Sequence, residues 1–276
     1  MVVIRYVAVA LVFLAGSACA AAYDDYFRGV EAMRAGNAAL ALSSFASALN
    51  AGDLAPAYVP NAYVGRAQVY LRTQQCASAL ADADAALKLR PKYLDAYMTR
   101  ATANMCLEKA DAALADLNAA IAIAPATAAL YRVRGDFQWR RGAFAPAADD
   151  YAQAFKLAPK VGYNLLWYAI SAGRAGTFDA AGFEEKVSDL DTDDWPAPLL
   201  DYVRGKAKAD DVYRKAAEAD GDAAANRKCE ADFYIGEWNL ANKDAGAKTL
   251  LQQAESECPH NFVEYLAARE DIKRVP

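Results

Sequence analysis

The sequence predicts an all-α protein, an α-solenoid of antiparallel helix pairs that ends in a C-terminal capping helix. Alanine supplies 67 of the 276 residues, and alanine has the highest helix propensity and adds little bulk where helices touch. A pattern of small, aromatic and charged residues also returns every 34 residues, which is typical of stacked helix pairs. Both observations favour close-packed helices over a sheet.

Three gapless segments define the repeat. AYVGRAQVYL, AYMTRATANM and LYRVRGDFQW occupy corresponding positions, and the units that they open end at prolines spaced by 34 residues, namely Pro91, Pro125 and Pro159. Small residues recur where two helices must approach closely: Ala67, Ala79, Ala86, Ala101, Ala113, Ala120, Gly135, Ala147 and Ala154. This period and pattern resemble the tetratricopeptide repeat (TPR). The resemblance implies a right-handed superhelix whose concave groove binds protein partners.

The N-terminal segment, residues 1–22, is predicted to be a signal peptide, and the repeat register predicts a single TPR solenoid domain over residues 23–276. A solenoid needs a less repetitive end to cover its last apolar face. The domain divides, in order, into four regular repeats, a degenerate repeat, a short helix pair, a last helix pair and a cap, over about 22–55, 60–93, 94–127, 128–161, 162–195, 196–219, 226–258 and 260–270.

The N-terminal segment has the organisation of a secretory signal peptide. Residues 1–22 carry one positive charge, at Arg5, then an apolar run and small residues. Two cleavage routes stay open. Ala18–Ala20 fits an A-x-A site, which would give a soluble periplasmic protein, and this route is favoured. The alternative is a permissive lipobox in which Cys19 is lipidated and attaches the chain to the outer membrane, although Gly16 stands where a bulky aliphatic residue is usual.

Composition and charge exclude several function classes. The formal net charge is −5, so a broad contact with nucleic acid, which needs a basic face, is not expected. A single histidine, His260, leaves little room for histidine-based metal sites or catalytic triads. Phosphate-binding loops, hydrolase elbows and zinc-protease motifs are absent. We therefore expect a protein that is not an enzyme and uses no metal and no cofactor.

The other four cysteines predict two disulfides. An even number of cysteines in an exported chain is typical of a disulfide framework. Residues equidistant from the turn of a helical hairpin lie at the same height, and this symmetry pairs Cys76 with Cys106 and Cys229 with Cys258. The alternative is four buried free thiols.

Arginine and aspartate recur together in three repeats. One interpretation is an arginine ladder for an acidic ligand, and the other is a repeated ion pair between neighbouring helices. The fixed spacing of both partners favours the pair, because bidentate arginine–carboxylate geometry suits it. The residues are Arg66, Arg100 and Arg134 with Asp82, Asp116 and Asp150.

The first helices of the repeats line the concave groove in this fold, and the register indicates which residues point inward. Methionine, aromatic and arginine side chains are typical of adaptable peptide-binding surfaces. The alternative, that the methionines and the tryptophan simply pack between helices, stays open. The candidate partner-binding residues are Gln68, Arg72, Met98, Thr102, Met105, Arg132, Asp136, Trp139 and Arg140.

Motifs beyond the regular repeats carry a closer resemblance. LLWYAISAG (165–173), CEADFYIGEWNLANKD (229–244) and CPHNFVEYLAARE (258–270) resemble, in order and wording, the NlpI family of periplasmic TPR lipoproteins. The resemblance implies a homodimeric adaptor that holds a tail-specific (carboxy-terminal processing) protease and presents murein hydrolases to it. The alternative is a passive scaffold for envelope assembly or secretion. The terminal motif of the family matches four residues here, His260, Asn261, Phe262 and Glu264. Their expected roles are to start the last helix and to pack the cap.

Overall fold

The described chain is helical throughout and contains no strand, so the all-α prediction is confirmed. The computed structural model describes residues 21–188, 190 and 194–275. The first twenty residues of the predicted signal peptide, with Cys19, lie outside the described residues. None of the described helices is both long and apolar enough to span a membrane. Helix α1 covers residues 21–34, and the others are α2 Ala38–Asn50, α3 Val59–Arg72, α4 Cys76–Leu89, α5 Leu94–Cys106, α6 Ala110–Ile123, α7 Ala128–Arg140, α8 Phe144–Leu157, α9 Gly162–Ala175, α10 Ala180–Ser188, α11 Ala197–Val203, α12 Ala209–Ala217, α13 Asp222–Ala241, α14 Ala247–Glu257 and α15 Val263–Ile272.

The chain divides into two compact units. Unit 1 ends at Pro125 and contains α1 to α6, and unit 2 begins at Ala126 and contains α7 to α15. The division falls where one predicted repeat, 94–127, meets the next, 128–161. The single solenoid domain stays a prediction.

Unit 1 consists of three helix pairs that pack through small residues. The alanines predicted at the close contacts of this unit are completely buried, and the fully buried Phe45 fills the space between α1 and α3. A Cβ atom would lie 2.8 Å from the Phe45 ring at Gly29 and 2.7 Å from it at Gly65. The two helices can therefore enclose the ring only because glycine stands at both positions.

The turns between paired helices share one backbone feature. The second residue after the first helix of the pair has a positive φ, as at Gly36 (75°) and Gly142 (75°), and also at Gln74 (59°) and Glu108 (57°), which are not glycine. A left-handed residue at this position ends a helix and directs the chain back along it. The repeat thus keeps the turn geometry even where it does not keep glycine.

Unit 2 has a core of stacked aromatic rings on which the C-terminal helix packs. Trp167 contacts Trp139 and Phe233 with ring centroids 5.3 Å apart in both cases, and stacks on Tyr151 at 5.4 Å. Helix α15 contacts α7, α13 and α14. The capping helix therefore covers a face of the first helix of the unit as well as its last pair.

Helix α13 is longer than the sequence pattern predicts. The pattern begins the last pair near residue 226, after a polar stretch, but α13 begins at Asp222, directly after Gly221 with its φ of 53°. The residues from 223 to 225 are all alanine, and their high helix propensity extends the helix through the stretch that polarity alone marks as a loop.

The two predicted cysteine pairs lie at disulfide distance, which confirms their pairing. The Cα atoms of Cys76 and Cys106 are 6.1 Å apart, and those of Cys229 and Cys258 are 5.0 Å apart. The first pair joins the start of α4 to the end of α5, and the second joins α13 to the residue after α14. Each bond lies within one unit.

Candidate partner-binding surfaces

The repeated arginines form ion pairs inside the helix pairs, so the structural interpretation of this ladder is confirmed. The guanidinium of Arg66 donates two hydrogen bonds to the Asp82 carboxylate, at 2.7 and 2.8 Å. The other two repeats contain the same pair at 2.6 to 3.1 Å. The carboxylates are buried and the arginines are half-buried. These arginines are therefore occupied in joining helices and do not form a row for an acidic ligand.

Five of the predicted partner-binding residues lie on neighbouring helices of unit 1. Gln68 and Arg72 are on α3, whereas Met98, Thr102 and Met105 are on α5, and the two helices are in contact. The two methionines and Gln68 are half-buried, while Thr102 and Arg72 are exposed. Their role in partner binding stays a prediction.

An aromatic cluster stands at the start of unit 1. The rings of Tyr23 and Phe27 on α1 lie 4.6 Å apart, and Tyr58, just before α3, lies 5.3 Å from Tyr23 and 5.3 Å from Tyr26. Tyr23 is 42% exposed and Phe27 is 39% exposed. The cluster is a partly exposed aromatic surface of this unit.

The remaining predicted residues lie on α7 of unit 2, and one of them requires correction. Arg132, Asp136 and Arg140 follow one another at intervals of one helical turn, and both arginines are exposed. Trp139 is only 1% exposed, and its ring lies 4.8 Å from the Phe144 ring. Trp139 is therefore a core residue and not a contact for partners, because the aromatic core and α15 cover the part of the α7 surface on which it lies.

A cavity of about 500 Å³ opens beside α7. A second, smaller cavity of about 160 Å³ shares Asp136, Trp167 and Val263 with it, and its other lining residues are Trp139, Arg140, Leu266 and Ala267. Helices α7, α9 and α13 and the start of α15 all contribute walls to the larger cavity. Its lining residues are Arg132, Asp136, Val161, Tyr163, Trp167, Glu230, Asn261, Phe262, Val263 and Glu264.

The larger cavity has three carboxyl groups, and aromatic donors orient each of them. The Tyr151 hydroxyl donates to Asp136 Oδ1 at 2.7 Å, and the Tyr234 hydroxyl donates to Glu264 Oε1 at 2.9 Å. Glu230 Oε2 accepts two hydrogen bonds, from the Tyr163 hydroxyl at 2.7 Å and from the indole nitrogen of Trp195 at 2.6 Å. Within the described part of the chain, none of the three carboxyl groups is ion-paired with a lysine or an arginine.

Burial changes the proton affinity of two of these groups. Burial raises the pKa of Asp136, while the bond from Tyr151 and the positive charges of Arg132 and Arg140 lower it. Burial also raises the pKa of Glu264 to about 7, and the charge of Glu230 acts in the same direction. The charge of the cavity therefore changes near neutral pH, because Glu264 titrates there.

A second group of buried carboxyls lies deeper in unit 2. Glu237 on α13 accepts a hydrogen bond from Arg174 on α9 at 2.5 Å, and Asp271 on α15 lies 3.6 Å from the same guanidinium nitrogen. Both carboxylates are completely buried. Burial and the charge of Asp271 raise the pKa of Glu237 to about 8. This cluster joins three helices and has no opening to a ligand.

Sequence reasoning misses most of the cavity walls. Tyr163 and Glu230 lie outside the regular repeats, where no register assigns a face.

The terminal motif suggests only a structural role, and that role needs correction. Helix α15 begins at Val263 with Phe262 at its N-cap position, so neither His260 nor Asn261 starts the helix. Phe262 packs on the core as expected, whereas Asn261 lines the cavity and the His260 ring lies 4.5 Å from Tyr265. No group of three histidine, cysteine or acidic residues in the described chain is placed to bind a metal ion.

The comparisons with known proteins support the fold. No protein-family model and no curated protein matches the sequence. A solved tetratricopeptide repeat protein from Parabacteroides merdae ATCC 43184 aligns with a TM-score of 0.57 at 18% identity, over 91% of this chain and 98% of that one. MamA from Desulfovibrio magneticus RS-1 aligns with a TM-score of 0.51 at 18% identity, over 62% of this chain and 97% of that one. The chain therefore has the helix-pair fold of tetratricopeptide repeat proteins.

Proposed function

We propose that the protein is a non-catalytic scaffold that binds segments of other proteins, and that it acts in the periplasm as an adaptor between them. The observation that carries the proposal is the cavity beside α7 in unit 2. It is concave, has the size of a ligand site, and combines apolar walls with a few oriented polar groups. TPR-type repeats build such concave surfaces from successive helices and use them to bind partners.

The resemblance to the NlpI family supports the adaptor role, because its motifs converge on this cavity. Trp167 belongs to the first of the three motif segments, Glu230 belongs to the second, and Asn261 and Glu264 belong to the third. All four residues line the larger cavity. The partners that we propose are a tail-specific protease and the murein hydrolases that it degrades, brought together by simultaneous binding to one scaffold.

The proposed location rests on the N-terminal segment and on the cysteines. The organisation of residues 1–22 is that of an export signal. The two cysteine pairs at disulfide distance agree with an oxidising compartment, since disulfides persist outside the cytosol. We propose the soluble periplasmic form, and lipidation of Cys19 is the alternative that mass spectrometry of the mature chain would detect.

Capture from native periplasmic extract tests the partners. The bait is the chain from residue 23 with both disulfides formed. Enrichment of a tail-specific protease together with murein hydrolases is the expected result. The double variant Asp136→Asn/Glu230→Gln, which removes two charges from the lining of the cavity, should reduce the capture. A variant of an exposed residue in unit 1, Lys92→Ala, is the matched control and should capture normally.

The half-lives of the captured hydrolases separate an adaptor from a passive scaffold. An adaptor for proteolysis shortens them, so deletion of the protein should lengthen the half-lives and re-expression should restore them. Unchanged half-lives, with capture intact, would eliminate the adaptor and leave the passive scaffold. Capture of envelope proteins without any protease would also eliminate the adaptor.

A further inference from the structure

We propose that the cavity beside α7 in unit 2 binds a lysine or arginine side chain in a segment of a partner protein. This inference rests on the proposed function, because it names the chemistry by which the scaffold recognises its partner. The ligand is a cation on an alkyl stem, presented by a polypeptide. Electrostatic complementarity and the composition of the cavity walls carry the argument.

The charge of the cavity is the first step. Asp136, Glu230 and Glu264 line it, against the single cation Arg132. Arg132 is exposed and forms no ion pair with the three carboxyl groups in the described chain. Every other buried carboxylate among the described residues has an arginine or lysine partner, as Asp82 has Arg66 and Asp232 has Lys228. Glu264 is thus the one buried acid of the described residues that lacks a cationic partner, and the half-buried Asp136 and Glu230 that line the same cavity also have none.

The orientation of the carboxyl groups is the second step. Asp136 and Glu230 each use one oxygen to accept hydrogen bonds from buried or half-buried aromatic side chains. Their second oxygens have no donor among the described residues. Glu264 is only 6% exposed and has one tyrosine donor. A guanidinium or ammonium group supplies several donors and a positive charge, which are what this arrangement lacks.

The apolar walls are the third step, and they are independent of the charges. Tyr163, Trp167 and Phe262 line the same cavity. Aromatic faces attract cations and pack against the methylene groups of lysine and arginine. A carboxylate or phosphate ligand would meet three acidic groups instead, and repulsion would exclude it. The volume of about 500 Å³ accommodates a long side chain together with part of its neighbour.

A peptide-pool experiment tests the proposal on the oxidised chain from residue 23. Four labelled pools of heptapeptides have random flanks and a fixed central residue, which is arginine, lysine, citrulline or norleucine. Citrulline has nearly the shape of arginine without its charge, and norleucine removes the ammonium group of lysine. The arginine and lysine pools should be retained at least about ten-fold better than their neutral counterparts.

Variants assign the preference to the cavity. Asp136→Asn/Glu230→Gln keeps the acceptors for the aromatic donors but removes two charges, and it should abolish the preference for the cationic pools. Asp149→Asn removes the charge of an exposed aspartate on α8 and should leave the preference unchanged. Circular dichroism and the melting temperature confirm that each variant is folded. Equal retention of all four pools would overturn the proposal, as would a preference that survives in the double variant.

The pH dependence of binding gives a second readout. Glu264 faces Glu230 and Tyr234 on α13 and Asp136 and Arg132 on α7, and its pKa of about 7 lies in the accessible range. The ionised form attracts the cation, so retention of the arginine pool should rise between about pH 6 and about pH 8. Glu264→Gln should flatten this rise. A preference that does not change with pH in the unmodified chain would contradict the participation of Glu264.

The outcomes distinguish this inference from the proposed function. Partner capture without a preference for cationic pools would leave the scaffold intact and eliminate the basic-side-chain site. A preference for cationic pools without capture of a protease would leave the site intact and eliminate the named partners. Spermidine tests the remaining source of the same chemistry: if it binds and the pools show no preference, the ligand is a free polyamine and the proposal fails.

Discussion

At the scale of single residues, the fold treats buried acids in two ways. The repeated aspartates, such as Asp150 with Arg134 at 2.6 Å, each have an arginine partner from the paired helix. In unit 2, Glu237 and Asp271 both lie beside the guanidinium of Arg174, and Asp271 also pairs with Arg274 at 2.7 Å. Complete burial disfavours the charged form of Glu237, and the negative charge of Asp271 acts in the same direction. The pKa of Glu237 is therefore raised to about 8.

The first prediction concerns the pH dependence of stability. The pKa of Glu237 rises from 4.5 to about 8 on folding, so the folded protein holds a proton that the unfolded chain releases. The free energy of unfolding therefore decreases as the pH rises through this window. Glu237→Gln keeps an acceptor for Arg174 and removes the ionisable group. Between about pH 5.5 and about pH 8.5, the free energy of unfolding of the unmodified protein should fall by at least about 1 kcal/mol more than that of the variant, since one pKa unit corresponds to about 1.4 kcal/mol.

Urea unfolding at several pH values measures this difference. Glu264, whose pKa is also raised by burial, contributes a slope that both proteins retain, so only the difference between them reports on Glu237. Glu255→Gln on α14 is a suitable control, because Glu255 is not completely buried and its substitution leaves the Arg174 cluster intact. Parallel pH profiles for the Glu237→Gln variant and the unmodified protein would show that Glu237 ionises normally in the folded state.

At the scale of helices, packing depends on pairing one large side chain with small ones. Phe45 of α2 is completely buried and contacts α1 and α3 at positions where only glycine leaves room, Gly29 and Gly65. Tyr151 repeats the arrangement in unit 2, since a Cβ atom at Gly135 would lie 3.1 Å from its ring. The alanine-rich composition thus reflects helix contacts that are too close for larger side chains.

The second prediction tests this close approach. In Gly65→Ala the new methyl group would lie 2.7 Å from the tip of the Phe45 ring. The ring has little room to move away, because α1 passes so close to it at Gly29 that a Cβ atom there would lie 2.8 Å from the ring. We expect the substitution to lower the free energy of unfolding by about 2 kcal/mol, the usual cost of overpacking a core. Adding Phe45→Leu should recover part of the loss. If Gly65→Ala unfolds at the same urea concentration as the unmodified protein, the ring is mobile and the interpretation is wrong.

The same scale explains what the sequence can predict and what it cannot. The helices of the regular repeats and the buried alanines follow from one local pattern, because each repeat packs in the same way on the next, and both cysteine pairs follow from the symmetry of a helical hairpin. The prediction for Trp139 is wrong because a helix more than 120 residues away in the chain, α15, covers the face on which it lies. Glu230 and Tyr163 escape prediction, because α9 and α13 depart from the period and no register assigns their faces. A local pattern cannot report such distant contacts.

At the scale of the whole molecule, each of the two units is cross-linked by one disulfide. Each unit contains one bond between helices that follow each other in the chain, and the bonds span 30 and 29 residues. Repeat proteins are stabilised mainly by contacts between neighbours, so unfolding can begin at any weak repeat. A disulfide in each unit restricts the unfolded chain on both sides of the division.

The last prediction is the contribution of these bonds to stability. Closing a loop of about 30 residues reduces the entropy of the unfolded chain by about 3 to 4 kcal/mol at 25 °C. Cys229→Ala/Cys258→Ala should therefore lower the free energy of unfolding by about 3 kcal/mol, and Cys76→Ala/Cys106→Ala should act similarly. Thermal and urea unfolding with and without dithiothreitol measure both effects. A variant that lacks all four cysteines controls for the reductant, since dithiothreitol should leave its stability unchanged. If the unmodified protein also ignores dithiothreitol, and its thiols react with a maleimide without unfolding, the cysteines are reduced and the argument for an oxidising compartment fails.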